Sequence, residues 1–264
     1  MIKWIGIVFL FFLLTILTQV GGLVFLLAIL IARFFGWEER WKKLLLSLTL
    51  YLITSLVIIP HLAPIFGREP VKHTEDILPA TWFTVLTNRN YVRPTINKLL
   101  LKTAKKVKSQ GIKIICLDAN FPFLNGFPLL PHLSHNDGRK LDLALVYENK
   151  KGTIIPAKKS RTGYGVYVDP FAGEINQTEK CKKAGYFQYD YSKYSSLGAV
   201  NQDLVFSKKG TKYLVETLLD YSEIQKIFIE PHLKSRLRLT DDRIRFHGCR
   251  AVRHDDHIHL QIHP

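Results

Sequence analysis

The 264 residues carry 37 Lys and Arg against 22 Asp and Glu, a formal charge of +15, and 47% of positions are hydrophobic. That length allows one or two domains of ordinary size, and no zinc-finger spacing, ribonucleoprotein aromatic motif or recognition-helix pattern turns the positive charge into a nucleic-acid signature. The three cysteines, Cys116, Cys181 and Cys249, lie far apart, which excludes a disulfide framework and a CxxC pair and leaves open whether Cys181 and Cys249 join.

The long apolar runs fall within the first 67 positions. From Trp4 to Ala32 only Thr15, Thr18 and Gln19 interrupt, a run longer than the ~20 residues that span a bilayer and too long for a secretory signal. A second run, Leu44 to Phe66, contains Pro60 and Pro64 near its end. The expectation is a transmembrane helical hairpin over residues 1–68, with spans at about 4–32 and 44–66. Arg33, Arg40, Lys42 and Lys43 in the connecting loop outweigh Lys3 on one side and Arg68 and Lys72 on the other. Positive-inside bias then places the loop in the cytoplasm and both ends outside. Trp4, Trp37 and Trp41 stand near the expected interfaces, and a lipid bilayer is the first expected partner.

Past residue 68, "REPVKHTEDILPATWF" reads as a linker. In "RPTINKLLLKTAKKVKSQG", Ile96, Leu99, Leu100 and Val107 make one helical stripe that Gly111 is placed to end. "IKIICLDA" reads as a buried strand, and "NFPFLNGFPLLPHLSH" as a proline-rich loop of the kind that carries site residues. "KLDLALVYE" alternates as a strand with Leu141, Leu143 and Leu145 on one face. Residues 151–200, rich in Gly, Lys and Tyr, read as an insertion or flap. "GTKYLVETLLDYSEIQ" is a helix with Leu214, Val215, Leu218 and Leu219 inward, "KIFIEP" a strand, "HLKSRLRL" a short helix, and "HDDHIHLQIHP" a final extended strand. The mixture predicts α+β rather than alternating βαβ units.

Ten histidines need sorting. His61, His73, His232, His247 and His263 read as surface or satisfied packing residues. His132, His135, His254, His257 and His259 stand apart, together with Asp142. On a strand, His257 and His259 project from one face because side chains alternate with period two. Asp142 begins a strand and His135 lies in the loop before it, so a turn at Gly138 can bring the two to one ion. Three protein ligands with one position open is the arrangement of a catalytic zinc.

"HLSHNDGRKLD" and "RHDDHIHLQI" resemble the two zinc-site motifs of the lysostaphin/D-alanyl-D-alanine/hedgehog metallopeptidase superfamily, and most resemble its penicillin-insensitive murein endopeptidase branch. No Glu stands shortly before the last ligand position, unlike the dipeptidase branch, and six residues separate His135 from Asp142, unlike the lysostaphin branch. The resemblance implies a zinc peptidase domain over 69–264, a small antiparallel sheet flanked by helices, outside a bacterial cytoplasmic membrane. It implies Zn2+ held by His135, Asp142 and His259, with His257 as general base or carbonyl-stabilising group. His254 matches a further active-site histidine and His132 the first His of the HxSH motif. Asp255 and Asp256 are expected to contact substrate or to fix a histidine tautomer. The implied activity is zinc-dependent cleavage of amide bonds in peptidoglycan peptides, with no nucleic-acid partner. The alternatives are a D-Ala-D-Ala-type carboxypeptidase or dipeptidase, and a non-enzymatic zinc-containing cell-wall binder.

Overall fold

The structure, a computed structural model, describes residues 2–264, with side chains from Trp4 onward. The chain forms two compact units. The first comprises residues up to Val71 with Trp82–Pro94 and Ala119–Gly138, and the second comprises Lys72–Thr81, Thr95–Asp118 and Arg139–Pro264.

Three apolar helical stretches dominate the first unit: Ile2–Thr18, Gly21–Phe34 and a 27-residue run Arg40–Phe66. The single span expected over 4–32 is therefore two helices. The break is at Gln19, whose φ of 68° is left-handed, while its N–H still bonds the Thr15 carbonyl at 2.7 Å. The Thr18 hydroxyl accepts the Gly21 N–H at 2.8 Å, and the Gln19 side-chain oxygen accepts the Phe123 N–H at 2.9 Å. Hydrogen bonds to neighbouring backbone thus offset the helical bonds lost at the turn.

The second helix folds back on the first. A Cβ added at Gly22 would lie 2.4 Å from the Phe11 carbonyl oxygen, so only glycine allows the approach. At the other end the Arg33 guanidinium sits 5.5 Å from the centre of the Trp4 ring. Gly21, Gly22, Val24, Ala28 and Ala32 are the buried residues of the second helix, the small-residue stripe of a close helix pair. Trp4 and the loop after Arg33 therefore share one end, whereas a single straight span over 4–32 would set them apart.

At 1.5 Å per residue the two hairpin helices are ~26 and ~21 Å long, short of a ~30 Å hydrocarbon core. Among the described residues only Arg40–Phe66 is long and apolar enough to cross a membrane. Only 11% of its apolar window is buried, so that surface is not used up in a protein core. Asn88 donates to the Thr18 carbonyl (3.4 Å) and to the Ser55 hydroxyl (3.3 Å), tying the hairpin tip to the long helix. Just past that helix, the fully buried Arg68 donates to the carbonyls of Phe121 and Asn136 and to the Asn125 side chain, fastening the 119–138 loop. Glu69–Pro70 pairs antiparallel with Tyr91–Val92.

The second unit is built on a six-stranded sheet in the order Ile244–Arg245, Ile224–Phe228, His257–Ile262, Lys140–Ala144, Ile114–Cys116, Ile77–Pro79. Its inner ladders are antiparallel, as expected, but the outermost pair at each edge is parallel. Parallel neighbours need a crossover. The helix Pro94–Val107 lies in the chain between one such pair and Pro231–Arg236 between the other. A smaller antiparallel sheet joins Ile154–Ile155, Tyr147–Glu148 and Val205–Phe206. The class is mixed α+β.

The helix Pro94–Val107 buries Ile96, Leu99, Leu100 and Val107, and Gly111 at φ 71° follows its last turn. The helix Lys208–Leu219 is capped by the Ser207 hydroxyl on the Gly210 N–H and buries Leu214, Val215, Leu218 and Leu219. Residues 151–200 are more than a flap, since they include the helix Gln177–Lys183 and a 3-10 stretch Phe187–Ser195. Cys181 is bonded to Cys249, while Cys116 is free and buried.

Candidate metal centre

The last strand and Lys140–Ala144 run antiparallel, with His259 opposite Asp142, His257 opposite Ala144, Ile258 opposite Leu143 and Leu260 opposite Leu141. Period-two alternation sends Leu141, Leu143, Ile258 and Leu260 to one face, all fully buried, and Asp142, His257 and His259 to the other. Directly opposed residues bring their Cβ atoms to about 5 Å. Both backbone groups of Asp142 are engaged, its N–H on the Asp118 carbonyl (2.9 Å) and its C=O by the Leu117 N–H (2.8 Å).

A buried carboxylate is costly unless hydrogen-bonded. Asp142 Oδ1 lies 2.8 Å from His259 Nδ1, and Oδ2 accepts the Tyr164 hydroxyl at 2.8 Å. The same Tyr164 oxygen accepts the Asp118 N–H at 3.0 Å. His257 Nε2 is 3.7 Å from Asp142 Oδ2, and its Nδ1 is 2.5 Å from Asp256 Oδ1. Asp256 is itself held by the Gly165 N–H at 2.6 Å. Burial alone would lower the His257 pKa, but the carboxylates of Asp256 and Asp142 outweigh it and hold the ring up to about 9. Any cation on Asp142 would weaken one of those two carboxylates.

The two acids expected to act alike diverge. Asp256 orients His257, whereas Asp255 is paired with the Arg253 guanidinium, which also reaches Asp169 at 2.7 Å. His254 directs Nδ1 at the Val252 carbonyl (2.9 Å), with its ring 4.6 Å from that of His257 and 4.0 Å from that of His247. Burial pushes His254 well below the ordinary imidazole range and His247 down to about 4. Glu230 accepts the His254 N–H at 2.8 Å and the Tyr189 hydroxyl at 2.7 Å.

In the first unit, His135 is buried with Nδ1 2.6 Å from the Ala119 carbonyl oxygen. A carbonyl only accepts, so Nδ1 carries the hydrogen and a neutral ring keeps its lone pair on Nε2. The half-buried His132 stands with its ring 5.5 Å from that of His135.

Groups of His, Asp and Glu that could hold a metal ion occur among the described residues, and the one that lies wholly within the second unit is Glu230, His247 and His254. Of the predicted ligands, Asp142 and His259 are the two that the sheet of the second unit brings together, and His259 belongs to none of these groups. Ligand atoms of a tetrahedral zinc lie about 3.3 Å apart, given bonds of ~2.0 Å. The 2.8 Å between His259 Nδ1 and Asp142 Oδ1 needs to open by only a few tenths of an ångström.

Tyr164, Glu230 and Arg253 stand at the candidate site without having been singled out from the sequence, and His247, read there as a surface or packing residue, stands beside His254. Tyr164 had one signal, the "GYG" it sits in. Gly163 and Gly165 both have positive φ, and a Cβ on either would strike Leu117 or the Ser192 carbonyl at 2.2 Å. Such a pinched turn marks a side chain aimed inward. His247 had none, since its partners are set by folding alone. Compared with known proteins, the chain matches no family model and no curated protein.

Proposed function

We propose that this chain is a membrane-anchored zinc hydrolase of amide bonds in peptidoglycan peptides, with His135, Asp142 and His259 as the zinc ligands. The observation that carries the reading is the cross-strand pair Asp142–His259 beside a His257 oriented by Asp256. The resemblance of the two motifs supplies the substrate class.

Zinc so held supplies Lewis acidity, polarising an amide carbonyl and acidifying a water. The chain's own residues do the rest. Tyr164 and the 117–118 backbone hold Asp142 in register. Asp256 fixes the His257 ring through Nδ1, so proton exchange with the reacting groups takes place at Nε2. The resemblance gives His132 a substrate contact, and His254 stands beside the proposed base, its ring 4.6 Å from that of His257.

The apolar Arg40–Phe66 helix and the exposed Trp4, Phe9, Phe12, Trp41 and Trp82 support insertion in a bacterial cytoplasmic membrane. The Cys181–Cys249 bond supports an oxidising, extracytoplasmic setting for the hydrolase.

The test uses the full-length chain in detergent with isolated peptidoglycan. Zinc-loaded protein is expected to release muropeptides, chelator to stop release, and His257→Ala to slow it by about 100-fold or more. Loss of cross-linked dimers identifies an endopeptidase, and loss of terminal D-alanine a carboxypeptidase. Binding to the polymer without release would establish the non-enzymatic alternative, and neither binding nor release would overturn the reading.

A further inference from the structure

We propose that Glu230, His247 and His254 form a second divalent-cation site, separate from the ligand set His135, Asp142 and His259. The inference stands whether or not the hydrolase reading does.

Each of the three residues offers one ligand atom, and these atoms lie within 4.8 Å of one another. The two rings are set by the same local device. His247 Nδ1 is 2.8 Å from the Gly248 carbonyl oxygen, and His254 Nδ1 is 2.9 Å from the Val252 carbonyl oxygen. Because a carbonyl can only accept, both Nδ1 atoms carry hydrogen and both neutral rings keep their lone pair on Nε2. His247 Nε2 is buried and has no hydrogen-bond partner. A buried nitrogen lone pair with nothing to accept is what a ligand awaiting an ion presents, and it is unfavourable otherwise.

Glu230 supplies the charge. Its Oε1 is taken by the Tyr189 hydroxyl and the His254 N–H, which leaves Oε2 for the ion. Those two bonds fix the carboxylate, as hydrogen bonds from surrounding groups do for metal ligands generally. Two imidazoles and one carboxylate suit zinc or another first-row divalent cation, with room for an outer ligand. His254 lies between the two centres, its ring 4.6 Å from that of His257 and 5.7 Å from that of His259.

The alternative is that His247 and His254 only pack against each other. Metal stoichiometry decides between the two, measured by elemental analysis on the full-length chain in detergent after exchange into buffered zinc. The wild type is expected to hold about two zinc ions per chain, and His247→Ala or Glu230→Gln about one. His135→Ala is also expected to hold about one, and its combination with His247→Ala none. A wild type with one ion, lost in His135→Ala and kept in His247→Ala, overturns the second site and leaves the proposed function standing. The reverse pattern supports the second site and overturns the ligand set of the proposed function. Cobalt(II) titration followed by visible absorption reads the same stoichiometry without elemental analysis. A break at about two equivalents supports the second site, and a single break at about one that is unchanged in His247→Ala overturns it.

Discussion

Asp142 is held by four kinds of contact at once: its strand ladder, the 117–118 backbone, the His259 ring and the Tyr164 hydroxyl. Of these the tyrosine is the one whose removal separates orientation from coordination. Tyr164→Phe keeps the ring that meets His257 edge-on at 5.0 Å and deletes only the oxygen between Asp142 and the Asp118 N–H. Two buried polar groups each lose one bond, so stability should fall by about 1–3 kcal/mol in urea unfolding with chelator present. Zinc affinity should fall by roughly 10–100-fold in a chelator competition, the usual cost of losing a group that holds a metal ligand. Unchanged zinc affinity with reduced stability would make Tyr164 a packing residue and nothing more.

At the scale of elements, the two patterns that carried the sequence reading were both periodicities. Leu141 and Leu143 alternate with Asp142, Ile258 and Leu260 with His259, and each strand sorts its side chains as that period requires. The 3.6-residue stripes of Pro94–Val107 and Lys208–Leu219 were equally legible, down to the glycine after the first. What could not be read lies where a contact is set by long separation rather than by spacing. Tyr164 reaches Asp142 across 22 residues, and Gln188 reaches the Cys249 carbonyl across 61. The turn at Gln19 was hidden for another reason. An apolar run scores by composition, whereas the break depends on where the Gln19 side chain and the Gly22 backbone find partners. Gly22→Ala tests that break directly. The added methyl would meet the Phe11 carbonyl oxygen at 2.4 Å and the Thr15 hydroxyl at 2.1 Å, so the hairpin must open. Overpacking of this kind costs about 1–3 kcal/mol. A lower melting temperature in detergent and faster protease cleavage near residues 19–22 are the expected readouts, and wild-type values in both would count against a tightly closed hairpin.

For the whole molecule, the fold-back changes what the membrane reading requires. With Trp4 beside Arg33, the basic residues Arg33, Arg40, Lys42 and Lys43 and the start of the first helix all stand at one end of the hairpin. Two spans would put the N-terminus across the bilayer from that loop, whereas the hairpin puts them together. Under the proposed membrane anchoring, positive-inside bias would give both to the cytoplasm, and the Arg40–Phe66 helix would carry the chain to the other face. Single-cysteine labelling separates the two topologies, and the background is low because Cys181 and Cys249 are bonded and Cys116 is buried. In intact spheroplasts an impermeant maleimide should label Leu124→Cys, an exposed position in the loop held by Arg68. Trp4→Cys and Glu38→Cys should react only after the membrane is opened. Labelling of Trp4→Cys from outside, with Glu38→Cys still protected, would restore the two-span topology. Equal labelling of all three in intact cells would remove the membrane from the proposal, because no bilayer would then stand between the ends of the long helix.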